Sequence, residues 1–181
     1  FEMYTNSDLV SGEVIVGGSG TDSIRAASTS VTAIDVTSAS LSSMEAFVLE
    51  AGAASGVTLT ASSSKLSGIS SISADGTNDI LSLTDSANIS SINITGVDTL
   101  KLADSTTVTG IAQSFSMDNY TGTSGGGNEV LSLSSGNVDA SGATFTDISS
   151  LSLSQSGTVQ TLTIDGSTIF NGMSIVGTSG T

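Results

Sequence analysis

The chain has 181 residues, 17 acidic side chains, three basic ones (Arg25, Lys65, Lys101), and no His, Cys, Pro or Trp. Without His or Cys it has no Ser-His-Asp triad, no Cys-His dyad, no His/Cys zinc site, no disulfide and no thiol redox chemistry. A net charge of −14 makes nucleic acid and anionic membranes poor partners, and no apolar run reaches the roughly 20 residues of a membrane-spanning helix.

Ser and Thr fill 62 positions, yet 37% of residues are apolar and the mean hydropathy is positive, which argues against disorder. Seven aromatic residues are too few for a conventional large core. The core must be many small aliphatics, thinly spread, as in repeat proteins whose units bury their apolar stripes on one another. Phe1 stands where an initiator Met would, and the first residues lack the basic flank and apolar run of a signal peptide, so a processed or excised segment is expected.

Taken in chain order, short runs of period-2 alternation dominate. They are Val14-Ile15-Val16, Ile34-Asp35-Val36, Val57-Thr58-Leu59, Ile80-Leu81-Ser82-Leu83, Ile92-Asn93-Ile94, Leu100-Lys101-Leu102, Leu131-Ser132-Leu133, Leu151-Ser152-Leu153 and Leu162-Thr163-Ile164. Each is flanked by Ser, Thr, Gly, Asn or Asp, the pattern of half-buried strands between turns. The best helical window, residues 41–54, is opposed by its alignment with strand-like segments.

Residues 10–21 (VSGEVIVGGSGT) match residues 170–181 (FNGMSIVGTSGT) at seven of twelve positions. Three units of about 53 residues fill the interval between the two runs. The runs 44–49, 97–102 and 148–153 align with one another, and Asp22-Ser23-Ile24, Asp79-Ile80-Leu81 and Glu129-Val130-Leu131 mark the unit starts. The expected architecture is a single all-β module over residues 1–181, a parallel β-helix (β-solenoid) of about six to eight turns, roughly two per unit. Its internal units span approximately 17–74, 75–124 and 125–176. The absence of Pro suits uninterrupted ladders. An antiparallel β-sandwich is the alternative.

Residues 17–25 (GGSGTDSIR) fit the nonapeptide G-G-x-G-x-D-x-U-x, whose tandem copies form calcium-binding β-rolls. Gly permits the turn, Asp supplies a hard anionic oxygen, and Ca²⁺ takes six to eight oxygens. Weaker echoes occupy residues 75–80 and 125–130. With this motif, followed by VTAIDV, MEAFVL or VDTLKL, and SGVTLTA, the chain resembles the repeat regions of RTX-type, type I-secreted bacterial surface proteins, particularly S-layer proteins and large adhesins. The resemblance implies a β-solenoid, Ca²⁺ as cofactor, and metal-ligand positions at Gly18, Gly20 and Asp22, with Asp75, Asn78 and Asp79 as a second set. It departs from the family pattern in having one good motif instead of a tandem array, so a tight turn with an outward Asp is the competing reading.

The pairs Asp75/Asp79 and Asp98/Asp104 have the composition of a glycosidase couple. Sugar sites also use aromatic platforms and basic groups, and the chain has neither Trp nor His. The sequons at Asn88, Asn93 and Asn119 are expected by chance in so Ser/Thr-rich a chain. The rows Thr58-Leu59-Thr60 and Thr161-Leu162-Thr163 resemble ice-binding faces, but the sequence shows no common register for them. Met3, Met44, Met117 and Met173 read as gap fillers.

The leading expectation is a non-catalytic building block of a bacterial cell-surface layer or extracellular filament. Copies would meet laterally or end to end as a homo-oligomer or polymer, with cell-surface polysaccharide as a further partner and an extracellular location. A stalk or passenger module of a secreted adhesin is second, and a polysaccharide-active β-helix enzyme third.

Overall fold

A computed structural model describes residues 1–50, 56–75, 78–155, 159–165 and 172–177. The protein is a parallel β-solenoid of about seven turns. Every strand pairing among the described residues is parallel, which excludes the antiparallel sandwich.

The chain winds past three faces in a fixed order. Face one stacks Glu2–Met3, Ser23–Ala26, Ala46–Leu49, Ser71–Ala74 and Asn93–Thr95. A 3-10 segment, Ala112–Ser114, then takes the strand's place, and Val138–Asp139 and Leu162–Thr163 follow it. Face two stacks Ala33–Asp35, Thr58–Ala61, Ile80–Leu83, Thr99–Leu102, Asn119–Thr121 and Thr144–Thr146. Face three begins with Val14–Val16 and Ser40–Ser42, is interrupted by the 3-10 segment Ser63–Leu66, and continues through Ala87–Asn88, Thr107–Ile111, Val130–Ser135, Ser150–Leu153 and Ser174–Gly177.

Alternation explains the core. Residues of one parity point inward and stack on their counterparts one turn away. Face one contributes the row Ile24–Phe47–Ile72–Ile94, and face two the row Ile34–Leu59–Leu81–Leu100–Tyr120–Phe145. All but Phe145 are buried. Towards the C-terminal turns the row becomes aromatic: Tyr120 stacks on Phe145 at 4.9 Å and meets the edge of Phe115 at 6.3 Å. Burial pushes the Tyr120 phenol well above its usual range. Met3, Met44 and Met117 are buried and Met173 packs against the core, as gap fillers do.

The ladder corrects the phase of the repeat. Turn length varies: the step from Leu81 to Leu100 is shorter than the step from Ile15 to Leu41. A unit of about 53 residues is therefore two turns and one further face. Phe47, Leu100 and Leu151, which align in sequence, lie on faces one, two and three in succession. So do Ile24, Leu81 and Leu131. Three such units make seven turns, and Ile15 and Ile175, matching positions of the two terminal runs, both sit on face three.

Candidate functional site

The acidic motifs occupy corners, where the chain bends from one face to the next. A recurring corner consists of a residue with positive φ, then a mostly buried residue, then Asp, Glu or Ser at the strand entrance. It is seen in Ser43-Met44-Glu45, Gly68-Ile69-Ser70, Gly96-Val97-Asp98 and Asp147-Ile148-Ser149. Gly20-Thr21-Asp22 and Gly127-Asn128-Glu129 share the geometry with a more exposed middle residue. The left-handed conformation turns the chain, and at Gly96 a side chain would also strike the Ala74 carbonyl of the adjacent turn at 2.1 Å.

The residue at each strand entrance, with Asp79 directly after the positive-φ Asn78, holds its neighbour one turn on. The Asp22 carbonyl accepts the Glu45 and Ala46 N–H groups, and the Glu45 carbonyl accepts those of Ser70 and Ser71. The Asp79 carbonyl accepts Asp98 and Thr99 N–H, and the Asp98 carbonyl accepts Asn119 N–H. The Glu129 carbonyl accepts Ser149 and Ser150 N–H, and the Ser149 carbonyl accepts Ser174 N–H. Among the described residues these form three corner stacks, entering faces one, two and three and beginning at Asp22, Asp79 and Glu129.

The side chains complete the stacks. Asp22 N–H donates to Glu45 Oε2 (2.8 Å), Asp79 N–H to Asp98 Oδ2 (2.7 Å), and Val57 N–H to Asp79 Oδ1 (2.7 Å). Asp85 accepts both the N–H and the hydroxyl of Ser63, and Asn6 Oδ1 accepts Thr32 and Ala33 N–H. Among the described residues, no buried side-chain nitrogen or oxygen lacks a hydrogen-bond partner. Corner N–H groups that a sheet ladder leaves over are met by carboxylates and amides of an adjacent turn.

The six expected metal positions divide between two corners. Gly18 and Gly20 are exposed, and Gly18 N–H donates to Asp22 Oδ2 at 2.7 Å at the entrance to face one. Asp75 and Asn78 are exposed, whereas Asp79 is buried at the entrance to face two with its Oδ1 on Val57 N–H. Among the described residues, no group of three or more His, Cys, Asp or Glu is placed to hold a metal ion. Each corner offers few anionic oxygens, and those named are engaged by backbone N–H.

No family model, curated protein or solved structure matches the chain.

The third acidic corner is the one the sequence marked most weakly. Glu129 is fully buried, and accepts Thr123 and Asn128 N–H at 3.3 and 3.2 Å and the Ser149 hydroxyl at 3.3 Å. A Cβ on Gly126 would lie 2.5 Å from Asp104 Oδ1 and 2.9 Å from Glu129 Oε1, so a side chain there would have to displace these carboxylates. The loop borders an open recess of about 330 Å³ lined by Thr123, Gly125, Gly126, Asp147 and Ser149. Residues 125–130 signalled this corner through their glycines. The sequence paired Asp104 with Asp98 and gave no sign of its closeness to Gly126, because that contact crosses a turn.

The proposed carboxylate couples are separated by burial and by partners. Asp75 is exposed and Asp79 buried; Asp98 is bound to Asp79 N–H and Asp104 lies beside Gly126. Two exposed carboxylates lie below the usual range. Asp8 is held down by the N–H groups of Tyr4 and Thr5, and Asp139 by the hydroxyl and N–H of Ser141. No helix among the described residues is long and apolar enough to cross a membrane.

Proposed function

We propose that the protein is a non-catalytic structural module of an extracellular bacterial surface layer or filament, resembling the RTX-type and S-layer repeat regions. The observation that carries this reading is the corner stack: the carboxylates of Glu45, Asp79 and Asp98 accept backbone N–H groups of the adjacent turn, and the backbone of Asp22 anchors the first stack. Side chains bound in this way stiffen a rod and are withdrawn from proton transfer. Copies meet laterally or end to end, and cell-surface polysaccharide is a further partner of the uncharged Ser/Thr surface. The −14 charge keeps unassembled rods apart, and Ca²⁺ acts as the counter-ion that permits their approach.

Electron microscopy of the purified chain with and without Ca²⁺ tests this. The expected result is an ordered sheet or fibre that disperses on chelation. Monodisperse rods under both conditions overturn the assembly reading in favour of an adhesin stalk. Assembly and melting unchanged by chelation remove calcium from the account.

A further inference from the structure

The outward positions of face two form a threonine array that the sequence alone does not reveal. The register places Thr58, Ile80, Thr99, Asn119 and Thr144 in one column, and Thr60, Ser82, Lys101, Thr121 and Thr146 in the other. Ala33 and Asp35 end the columns one turn before Thr58 and Thr60. None of the ten is buried, and six are Thr, against 24 Thr in the whole chain. Strand propensity does not explain the concentration, because it acts equally on all three faces. The paired outward positions from Ser23 to Thr95 on face one hold one Thr in eight. Those from Thr107 to Val176 on face three hold two in eight.

Each column repeats at the strand spacing, about 4.8 Å, and the two columns lie two residues apart, about 6.7 Å. Each Thr presents one methyl and one hydroxyl on a side chain with restricted χ1. The Thr144 hydroxyl donates to Asn119 Oδ1 across adjacent turns, which fixes the array further. Between its ends the array carries one charge, Lys101, and no acid, in a chain with 17 acids. Its aromatic neighbours, Tyr120 and Phe145, point inward, so it offers no platform on which a sugar ring stacks.

We infer that the outer surface of face two binds ice. A two-column grid of stiff methyl and hydroxyl groups, nearly free of charge, holds a layer of water at fixed spacing. An ordered solid, unlike a soluble ligand, rewards repetition over the whole face. Ile80, Ser82 and Asn119 interrupt the threonines without charge, and Lys101 is the charged defect: its hydrated head displaces that layer at the centre. This inference is independent of how copies assemble.

The test is partitioning of the folded chain into slowly growing ice, together with thermal hysteresis and inhibition of ice recrystallisation. The chain is expected to enter the ice. Thr121→Tyr, which raises a ring above the grid, should lose all three effects, whereas Thr109→Tyr on face three should keep them. Lys101→Thr should increase hysteresis, which keeps the inference testable if the tyrosine variant fails to fold. Exclusion of the folded wild-type chain from ice overturns it. So does retention on crystalline cellulose or chitin that Thr121→Tyr abolishes while ice partitioning is unaffected.

Discussion

Replacing Asp79 by Ala separates a structural carboxylate from a metal-binding one. Asp79 is 1% exposed, and its Oδ1 accepts the N–H of Val57, itself 1% exposed, at 2.7 Å. Ala leaves that buried N–H without its acceptor, at a cost of about 1–3 kcal/mol. For a chain of this length each kcal/mol moves the melting temperature by roughly 2–4 °C, so a mid-range loss lowers it by about 4–8 °C. Asp79→Asn retains an oxygen at the acceptor position and should lose about 1 kcal/mol. Asp75→Ala, at an exposed position, should stay within about 0.5 kcal/mol of the parent. Thermal unfolding followed by far-UV circular dichroism, with and without chelator, reads all three. The reasoning is refuted if Asp79→Ala melts with the parent. It is equally refuted if chelation alone brings the parent down to the melting temperature of Asp79→Ala, since the carboxylate would then act through a metal.

Phe47→Ala removes a fully buried ring from the middle of the face-one row and should cost about 3–5 kcal/mol in urea unfolding. Gly17→Ala would place a methyl 1.8 Å from the Ser43 carbonyl; spreading the turns should cost at least about 1–3 kcal/mol, and hydrogen exchange should quicken first at Ser42 and Ala46. Asp8 and Asp139 should titrate below an unfolded carboxylate by NMR. Because their folded values are depressed, their contribution is present above the unfolded value and is lost as pH falls through the folded one. Asp8→Asn and Asp139→Asn should therefore narrow the stability gap to the parent only on that acid limb.

The inward rows were legible in the sequence because strand periodicity is local: Leu81 and Leu83, or Leu131 and Leu133, declare their face by alternation alone. The number of turns followed from strand count, and the lack of Pro agreed with unbroken ladders. The phase of the repeat was not legible. Alignment reports that Phe47, Leu100 and Leu151 are alike, but only register reveals that they lie on different faces. The same limit hid the threonine grid, whose rows come from segments a full turn apart, at spacings that change from one turn to the next. The Thr161-Leu162-Thr163 row proved to belong elsewhere, with Leu162–Thr163 on face one. At the corners the sequence aligned Asp22, Asp79 and Glu129 as unit starts, and in the structure each opens a stack of turn-to-turn contacts. Their partners, Glu45, Asp98 and Ser149, were invisible as such, because a cap that reaches across a turn leaves no short-range spacing to find.

A unit that advances two turns and one face behaves as a screw with a three-step thread. Duplicating or deleting one unit would rotate everything downstream by a third of a circumference, so that surfaces once aligned would point apart. Changes in steps of three units would lengthen or shorten the rod and restore its facing. Length and orientation are therefore coupled in this architecture, and a continuous surface tolerates variation only in the longer step.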